Sequence, residues 1–197
     1  MKHSILIFGG SPFVATIDKS KIDLDRFDIL AINRPPTNIP VHYLVAYDDG
    51  FTACHTQEEV KTALANNLNP VFIAPKTEFI HKSTGWKFTR NIISKNDKEL
   101  GFCLYTCSSA VNFAYLRGYK NVYLIGVDLE ENNKPFTHWH GITNIKEVPV
   151  HCAKMAKEYL YRYKKLLNMY QCNPNVAKDW NIPYCEVEKL YRLMKSS

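Results

Sequence analysis

The chain has 197 residues, 46% of them hydrophobic and 22% charged, and carries a formal net charge of +6 at pH 7. That length allows one domain with a real core and is too short for two comfortable ones. No stretch reaches the roughly 18 uninterrupted apolar residues of a membrane span, so no transmembrane segment is expected, and the scattered positive charge lacks the dense basic stripe of a nucleic-acid binder.

The opening MKHSILIFGG has no long apolar region or small-residue cleavage site and reads as a first strand instead of a signal peptide. The cysteines (Cys54, Cys103, Cys107, Cys152, Cys172 and Cys185) show no C-x-x-C spacing and several sit in apolar runs. Reduced thiols and a cytoplasmic location are the expectation.

Ser4 to Phe8 reads as strand one, followed at once by Gly9-Gly10-Ser11-Pro12. Glycines let the backbone turn tightly and approach a ligand, and Ser11-Pro12 supplies an N-cap and a first-position proline for a short helix ending near Asp18. A strand, a glycine turn and a helix start make an anion site. The turn lacks a full G-x-G-x-x-G and a G-K-[ST], so neither a standard dinucleotide fold nor a P-loop kinase is supported.

Phe27 to Ile32 is predicted as strand two, ending in Asn33, and Val41 to Tyr47 as strand three, ending in Asp48-Asp49-Gly50. Three successive strands thus deliver small or polar groups at their ends, the pattern of a crevice. Gln57 to Ala65 reads as a helix capped by Thr56, and Pro70 to Ala74 as a fourth strand. Lys76 to Gly101 is a polar, interrupted excursion with short extended pieces.

A helix from Cys107 to Arg117 closes at Gly118, which can take the left-handed conformation that ends helices. Thr106 and Ser108 at its start either cap it or bind a phosphate or ribose. Val122 to Val127 is a buried strand that stops at Asp128, and Asp128 is either a functional acid or a cap for the next turn. Ligands of open α/β sheets bind beyond the carboxyl ends of strands, which puts Asp128 and the loop bearing Glu130, His138 and His140 at the usual place of a site. His138 and His140 would point the same way on an extended segment, but two imidazoles without a firm third ligand make a weak metal pair, and no metal ligand is assigned. Pro149 precedes a helix from Cys152 to Leu167 with the apolar stripe Met155, Ala156, Tyr159, Leu160, Tyr163, Leu166 and Leu167. His151 at its start is a cap or a catalytic base. Met169 to Cys172 is a further strand with Asn173-Pro174-Asn175 as its polar end, and Pro183 to Val187 a last one. The fold expected is α/β, a single Rossmann-like domain over 1–197 with a mostly parallel sheet and helices on both faces, 76–101 forming a variable excursion and 130–150 a short lid-like loop.

ILIFGGSP, FDILAIN, YLVAYDD, YTCSSAVNFAYLRGYKNVYLIGVDL, the His151 helix and QCNPN follow one another in the order seen in bacterial sialyltransferases of the Campylobacter type, which the chain resembles over most of its length. It also resembles the related group of motility accessory factors and archaeal 6-hydroxymethylpterin pyrophosphokinases. The resemblance implies a Rossmann-like glycosyltransferase, sialyltransferase-like, moving a sugar from a CMP-sugar or similar donor to a hydroxyl acceptor. In that reading Gly9, Gly10 and Ser11 form the phosphate-side turn, Asn33 and Asp48 hold the nucleotide, and Thr106 matches a serine of the next helix start. Ser108, Glu130, His140 and Asn173 join the donor site, and His151 aligns with the base, beside His138 and Asp128 as further catalytic candidates.

Two departures stand out. Asp48 places a carboxylate where those enzymes carry an amide, and the loop Phe136-Thr137-His138-Trp139-His140 lies nearer the motility-factor pattern. The alternatives are a Mg-assisted pyrophosphokinase of the hydroxymethylpterin type, with Asp48, Asp49, Asp128 and Glu130 around the ion, and a non-catalytic nucleotide-binding module. No cofactor is firmly implied outside that Mg reading; the partners are a nucleotide sugar donor and a hydroxyl acceptor, with homo-oligomerisation left open.

Overall fold

Two faces of one parallel sheet divide the core, and alternation along the first strand sets that division. In β1 (Ser4–Phe8), Ile5 and Ile7 enter one layer, Leu6 and Phe8 the other, and all four are fully buried. A strand buried on both faces needs a continuous apolar run, as SILIF supplies. The structure is a computed structural model, and it describes residues 3–33, 36, 39–45, 71–73, 87–89, 93–95, 99–101, 106–128, 136–137, 143–144 and 150–192.

Within those residues β2 is Phe27–Ile32, β3 Tyr43–Val45, β4 Val71–Ile73, β5 Lys87–Thr89, β6 Glu99–Gly101, α1 Thr106–Leu116 and β7 Asn121–Ile125. They are followed by β8 Phe136–Thr137, β9 Thr143–Asn144, α2 Val150–Tyr163, β10 Asn168–Gln171 and α3 Pro174–Asp179. The main sheet has the order β10-β7-β1-β2-β3-β4 and every pairing in it is parallel. β5 and β6 form a separate parallel pair within the excursion, and β8 and β9 a small antiparallel one. The α/β class with a parallel sheet agrees with the expectation.

One face carries α1, α2 and α3, which contribute Val111, Phe113, Leu160, Tyr163 and Val176 to the layer of Ile5 and Ile7, joined there by Trp180, the C-cap of α3. Across the other face lie three 3-10 segments, Pro12–Thr16, Lys19–Lys21 and Val187–Leu190, with Val14, Val187 and Leu190 in the layer of Leu6 and Phe8. Each large aliphatic or aromatic side chain so buried contributes roughly 1.5–3 kcal/mol.

Gly118 ends α1 as expected, with φ of +77°. Its N–H reaches Tyr115 O at 3.0 Å and the Tyr119 N–H reaches Ala114 O at 3.1 Å, the paired bonds of a Schellman ending.

Several boundaries differ from the reading of the sequence. The helix expected over 152 to 167 runs from Val150 to Tyr163, and Leu166 and Met155, placed on its apolar stripe, are exposed. Lys164 to Leu166 turn away because Leu167 must re-enter the core to start β10. The strand expected over Pro183 to Val187 is a single bridge, Tyr184 to Gln171, before a 3-10 turn. Asn173-Pro174-Asn175 is the start of α3, with Asn173 as N-cap and Pro174 at the first helical position. The helix expected at Gln57 to Ala65 lies outside the described residues.

Candidate active site

The sheet changes direction between β1 and β7. From β1 the chain adds β2, β3 and β4 on one side, then returns to add β7 and β10 on the other. A crevice at the carboxyl ends of the two central strands is the usual ligand position of such a sheet.

Here the two strand ends are locked together through their glycines. Gly9 N–H donates to Ile125 O at 2.8 Å and Ser11 N–H to Gly126 O at 3.0 Å. A Cβ on Gly9 would lie 2.3 Å from Gly126 O, so the approach demands glycine. Gly126 itself has φ of +66°, and a Cβ there would meet Val14 Cγ2 at 2.3 Å. The amide of Gly9 is thus committed to β7, while Gly10 is the half-buried residue that follows it.

Beyond the glycines a carboxylate gathers three strand ends. Asp128 Oδ2 accepts hydrogen bonds from Ser11 Oγ, after β1, and from Asn173 Nδ2 at 3.0 Å, after β10. Asp128, Ser11 and Asn173 are only 5%, 5% and 9% exposed. Burying a carboxylate is costly without such donors, so they are what the site needs to hold it. Asn173 is itself fixed at both ends of its amide: Oδ1 accepts from Asn175 N–H at 3.2 Å and caps α3 while Nδ2 turns to Asp128. Ser11 Oγ likewise accepts from Phe13 N–H at 3.2 Å, the cap of the first 3-10 turn.

Under this group lies Gln171, fully buried. Its Nε2 donates to Val127 O at 3.1 Å, and its Oε1 accepts from Asn173 N–H at 3.2 Å. One side chain thereby couples the backbone before Asp128 to that of Asn173. Nothing in the sequence singles out Gln171, since a glutamine at a strand end carries no pattern that marks it as buried.

Asn33 closes β2 in the left-handed region, with φ of 59°, and its N–H reaches Val45 O at 2.8 Å. Asparagine tolerates that conformation better than most residues. In the register that pairs Phe8 with Ala31, Asn33 stands level with Gly10.

Thr106 and Ser108 are buried in the first turn of α1. The helix feeds β7 through Tyr119, so its N-terminus lies about 16 Å back along its axis, toward the carboxyl ends of the strands. Ser109 Oγ donates to Gly101 O at 3.0 Å, and Asn112, fully buried, accepts from Ser94 N–H at 3.3 Å and donates to Ser94 O at 3.1 Å. These bonds pin Ser94 and Gly101 to α1. His151 is the second residue of α2, whose far end leads into β10, so it too sits toward the carboxyl ends of the strands. Asp48, Asp49, Glu130, His138 and His140 lie outside the described residues.

At the opposite end of the sheet is a second polar group with no counterpart in the sequence reading. Tyr119 Oη donates to Asp28 Oδ2 at 2.6 Å, His42 Nε2 lies 3.7 Å from Asp28 Oδ1, and His42 Nδ1 accepts from Ile29 N–H at 2.9 Å. Burial first, then the bond to Asp28, pushes the Tyr119 phenol far above its ordinary range. Among the described residues, no three His, Cys, Asp or Glu side chains converge as a metal site, and no helix is long and apolar enough to cross a membrane.

No protein-family model matches the chain, and no curated protein sequence does. Its fold nevertheless belongs to a definable class, an α/β fold with a parallel sheet whose strand order switches between β1 and β7. Among solved structures it is similar to the monofunctional α-2,3-sialyltransferase Cst-I from Campylobacter jejuni, with a TM-score of 0.57 and 12% identity, covering 98% of this chain and 83% of that one. It is similar also to the sialyltransferase CstII from Campylobacter jejuni in complex with the substrate analogue CMP-3FNeuAc, with a TM-score of 0.53 and 13% identity, covering 98% and 90%. A CST-II structure with a trisaccharide acceptor and CMP gives a TM-score of 0.53 at 14% identity, covering 98% and 89%. At such identities the likeness is one of fold: this chain has the sialyltransferase fold.

Proposed function

We propose that the chain is a nucleotide-sugar-dependent glycosyltransferase, sialyltransferase-like, which transfers a sugar from a CMP-sugar or similar donor to a hydroxyl acceptor. The observation that carries the reading is the convergence of Ser11, Asp128 and Asn173 at the switch point of a fold shared, over 98% of the chain, with sialyltransferases solved with CMP compounds.

In this reading the donor lies over Gly9, Gly10, Ser11, Asn33, Thr106, Ser108 and Asn173, and Asp48, which follows β3 in the sequence, takes part in holding the nucleotide. The N–H groups that begin a helix suit a phosphate, and α1 brings such a start to the carboxyl ends of the strands. Asp128 faces two donors and is buried, so its part is to fix Ser11 and Asn173 beneath the nucleotide. Glu130, His138 and His140 belong to the loop that follows and contribute to donor or acceptor binding.

Transfer requires a base for the acceptor hydroxyl. His151 takes that proton on a ring nitrogen, the acceptor oxygen attacks the anomeric carbon, and the bond from that carbon to the phosphate oxygen breaks to release the nucleotide. The partial positive charge at the start of α2 disfavours imidazolium and keeps the ring able to accept. The test is nucleotide release from a panel of nucleotide sugars with mono- and oligosaccharide acceptors, with and without Mg. Sugar-dependent release without Mg supports the reading. Pyrophosphoryl transfer from ATP that requires Mg, or no turnover of any donor, counts against it.

A further inference from the structure

The C-terminal segment brings two thiols side by side, independently of any glycosyl transfer. Tyr184 makes an isolated parallel bridge with Gln171: Gln171 N–H donates to Pro183 O at 2.9 Å, and Cys185 N–H to Gln171 O at 3.0 Å. One residue further along both segments, Cys172 stands opposite Cys185. Residues level with each other in parallel neighbours point to the same face, and both cysteines are buried in the layer of Leu6 and Phe8. Paired strands lie about 4.8 Å apart, within the roughly 4.4–6.8 Å between Cα atoms that a disulfide spans. Both are free thiols in this structure.

We propose that Cys172 and Cys185 are a reversible dithiol–disulfide couple, a modification site that fastens the C-terminal segment to the end of β10. Their surroundings divide the roles. Contact with the Cys172 thiol holds Cys185 down to about 7 against its burial, with Lys189 and Arg26 adding to the effect and Glu186 opposing it. Contact with Cys185, and then burial, pushes Cys172 far up. Cys185 is therefore the attacking sulfur and Cys172 the resolving one.

The co-reactant is a low-molecular-weight disulfide. The Cys185 thiolate attacks one of its sulfurs, forming a mixed disulfide and expelling one small thiolate. Cys172 then gives its proton to solvent and attacks Cys185 Sγ, expelling the second. Two protein thiols are oxidised and one small disulfide is reduced to two thiols. Access requires the stretch around Cys185 to lift locally from its bridge at Tyr184, itself 47% exposed, while the chain beyond it stays held by the Ile22–Tyr191 bridge and by buried Leu190.

The test treats the full chain with glutathione disulfide, then alkylates it under denaturing conditions and measures intact mass. Six thiols are expected before oxidation and two fewer after it, with proteolytic mapping joining Cys172 to Cys185. Cys172→Ser should trap glutathione on Cys185, and Cys185→Ser should trap none on Cys172. Should either variant fail to fold, the wild-type map still decides. Six alkylatable thiols after oxidation, a link through another pair, or a lasting mixed disulfide on wild-type Cys185 would overturn the proposal.

Discussion

Asn173 and Asp128 lie 45 residues apart in the chain and are joined by a hydrogen bond of 3.0 Å, Nδ2 to Oδ2, with both side chains buried. Because the same Asn173 caps α3, one residue links the carboxylate at the switch point to the start of a helix.

Replacing it should therefore cost two interactions. Asn173→Ala loses a cap, about 1 kcal/mol, and a donor to a buried carboxylate, ~1–3 kcal/mol. Asn173→Asp keeps the cap but sets a second carboxylate against Asp128, so it should be at least as destabilised as the alanine variant at pH 7. Urea unfolding of both proteins checks this. An aspartate variant as stable as wild type would mean that the bond to Asp128 contributes nothing.

Glycine substitutions at two turns should separate close approach from backbone conformation. Gly118→Ala meets no atom within 4 Å but is held at φ of +77°, and should cost about 1–2 kcal/mol. Gly9→Ala drives a Cβ into Gly126 O and should cost clearly more, roughly 3 kcal/mol or above, through displacement of β1 from β7. Thermal unfolding of the two variants should place Gly9→Ala well below Gly118→Ala; the reverse order contradicts the interlock.

Tyr119 gives a signed pH dependence. Its phenol is raised in the folded chain by burial and by Asp28, so the folded state holds the proton where an unfolded tyrosine, near pKa 10, releases it. The stabilisation is complete below pH ~10 and is lost as pH rises above it, with a slope of at most about 1.4 kcal/mol per pH unit from this group. Tyr119→Phe should lower stability by about 1 kcal/mol at pH 7 and flatten the decline between pH 10 and 11. Denaturant midpoints across that range report both effects, and an unchanged alkaline slope would remove Tyr119 from the account.

Catalysis should separate the histidines. His151→Ala is expected to lower turnover ~10²-fold or more with nucleotide affinity nearly unchanged, the usual size of losing a positioned base. His138→Ala and His140→Ala should act mainly on donor or acceptor binding. Wild-type turnover in His151→Ala together with its abolition in His138→Ala would move the base to the loop.

Strands were the most legible part of the sequence. Ser4–Phe8 and Phe27–Ile32 match residue for residue because each is an apolar run ended by glycine or asparagine. The strand expected over Val122 to Val127 stops at Ile125, since Gly126 leaves the extended region to let Val14 in. Asn173-Pro174 was readable as a helix start, yet the polar run masked it. The partners of Asp128 were beyond local reading: Ser11 is 117 residues away and Asn173 is 45, and only the β10-β7-β1 order brings them together.

The crevice itself is tested most directly by nucleotide binding in solution. A ligand at ~100 times its Kd adds roughly 2.7 kcal/mol of stability, a melting shift of several degrees for a chain of this size. CMP and CMP-sugars, added without Mg, should raise the melting temperature of the wild-type protein by that amount, and Asn33→Ala or Thr106→Ala should abolish the shift without unfolding the chain. No shift with any CMP compound, or a shift confined to ATP with Mg, would contradict a sialyltransferase-like donor site.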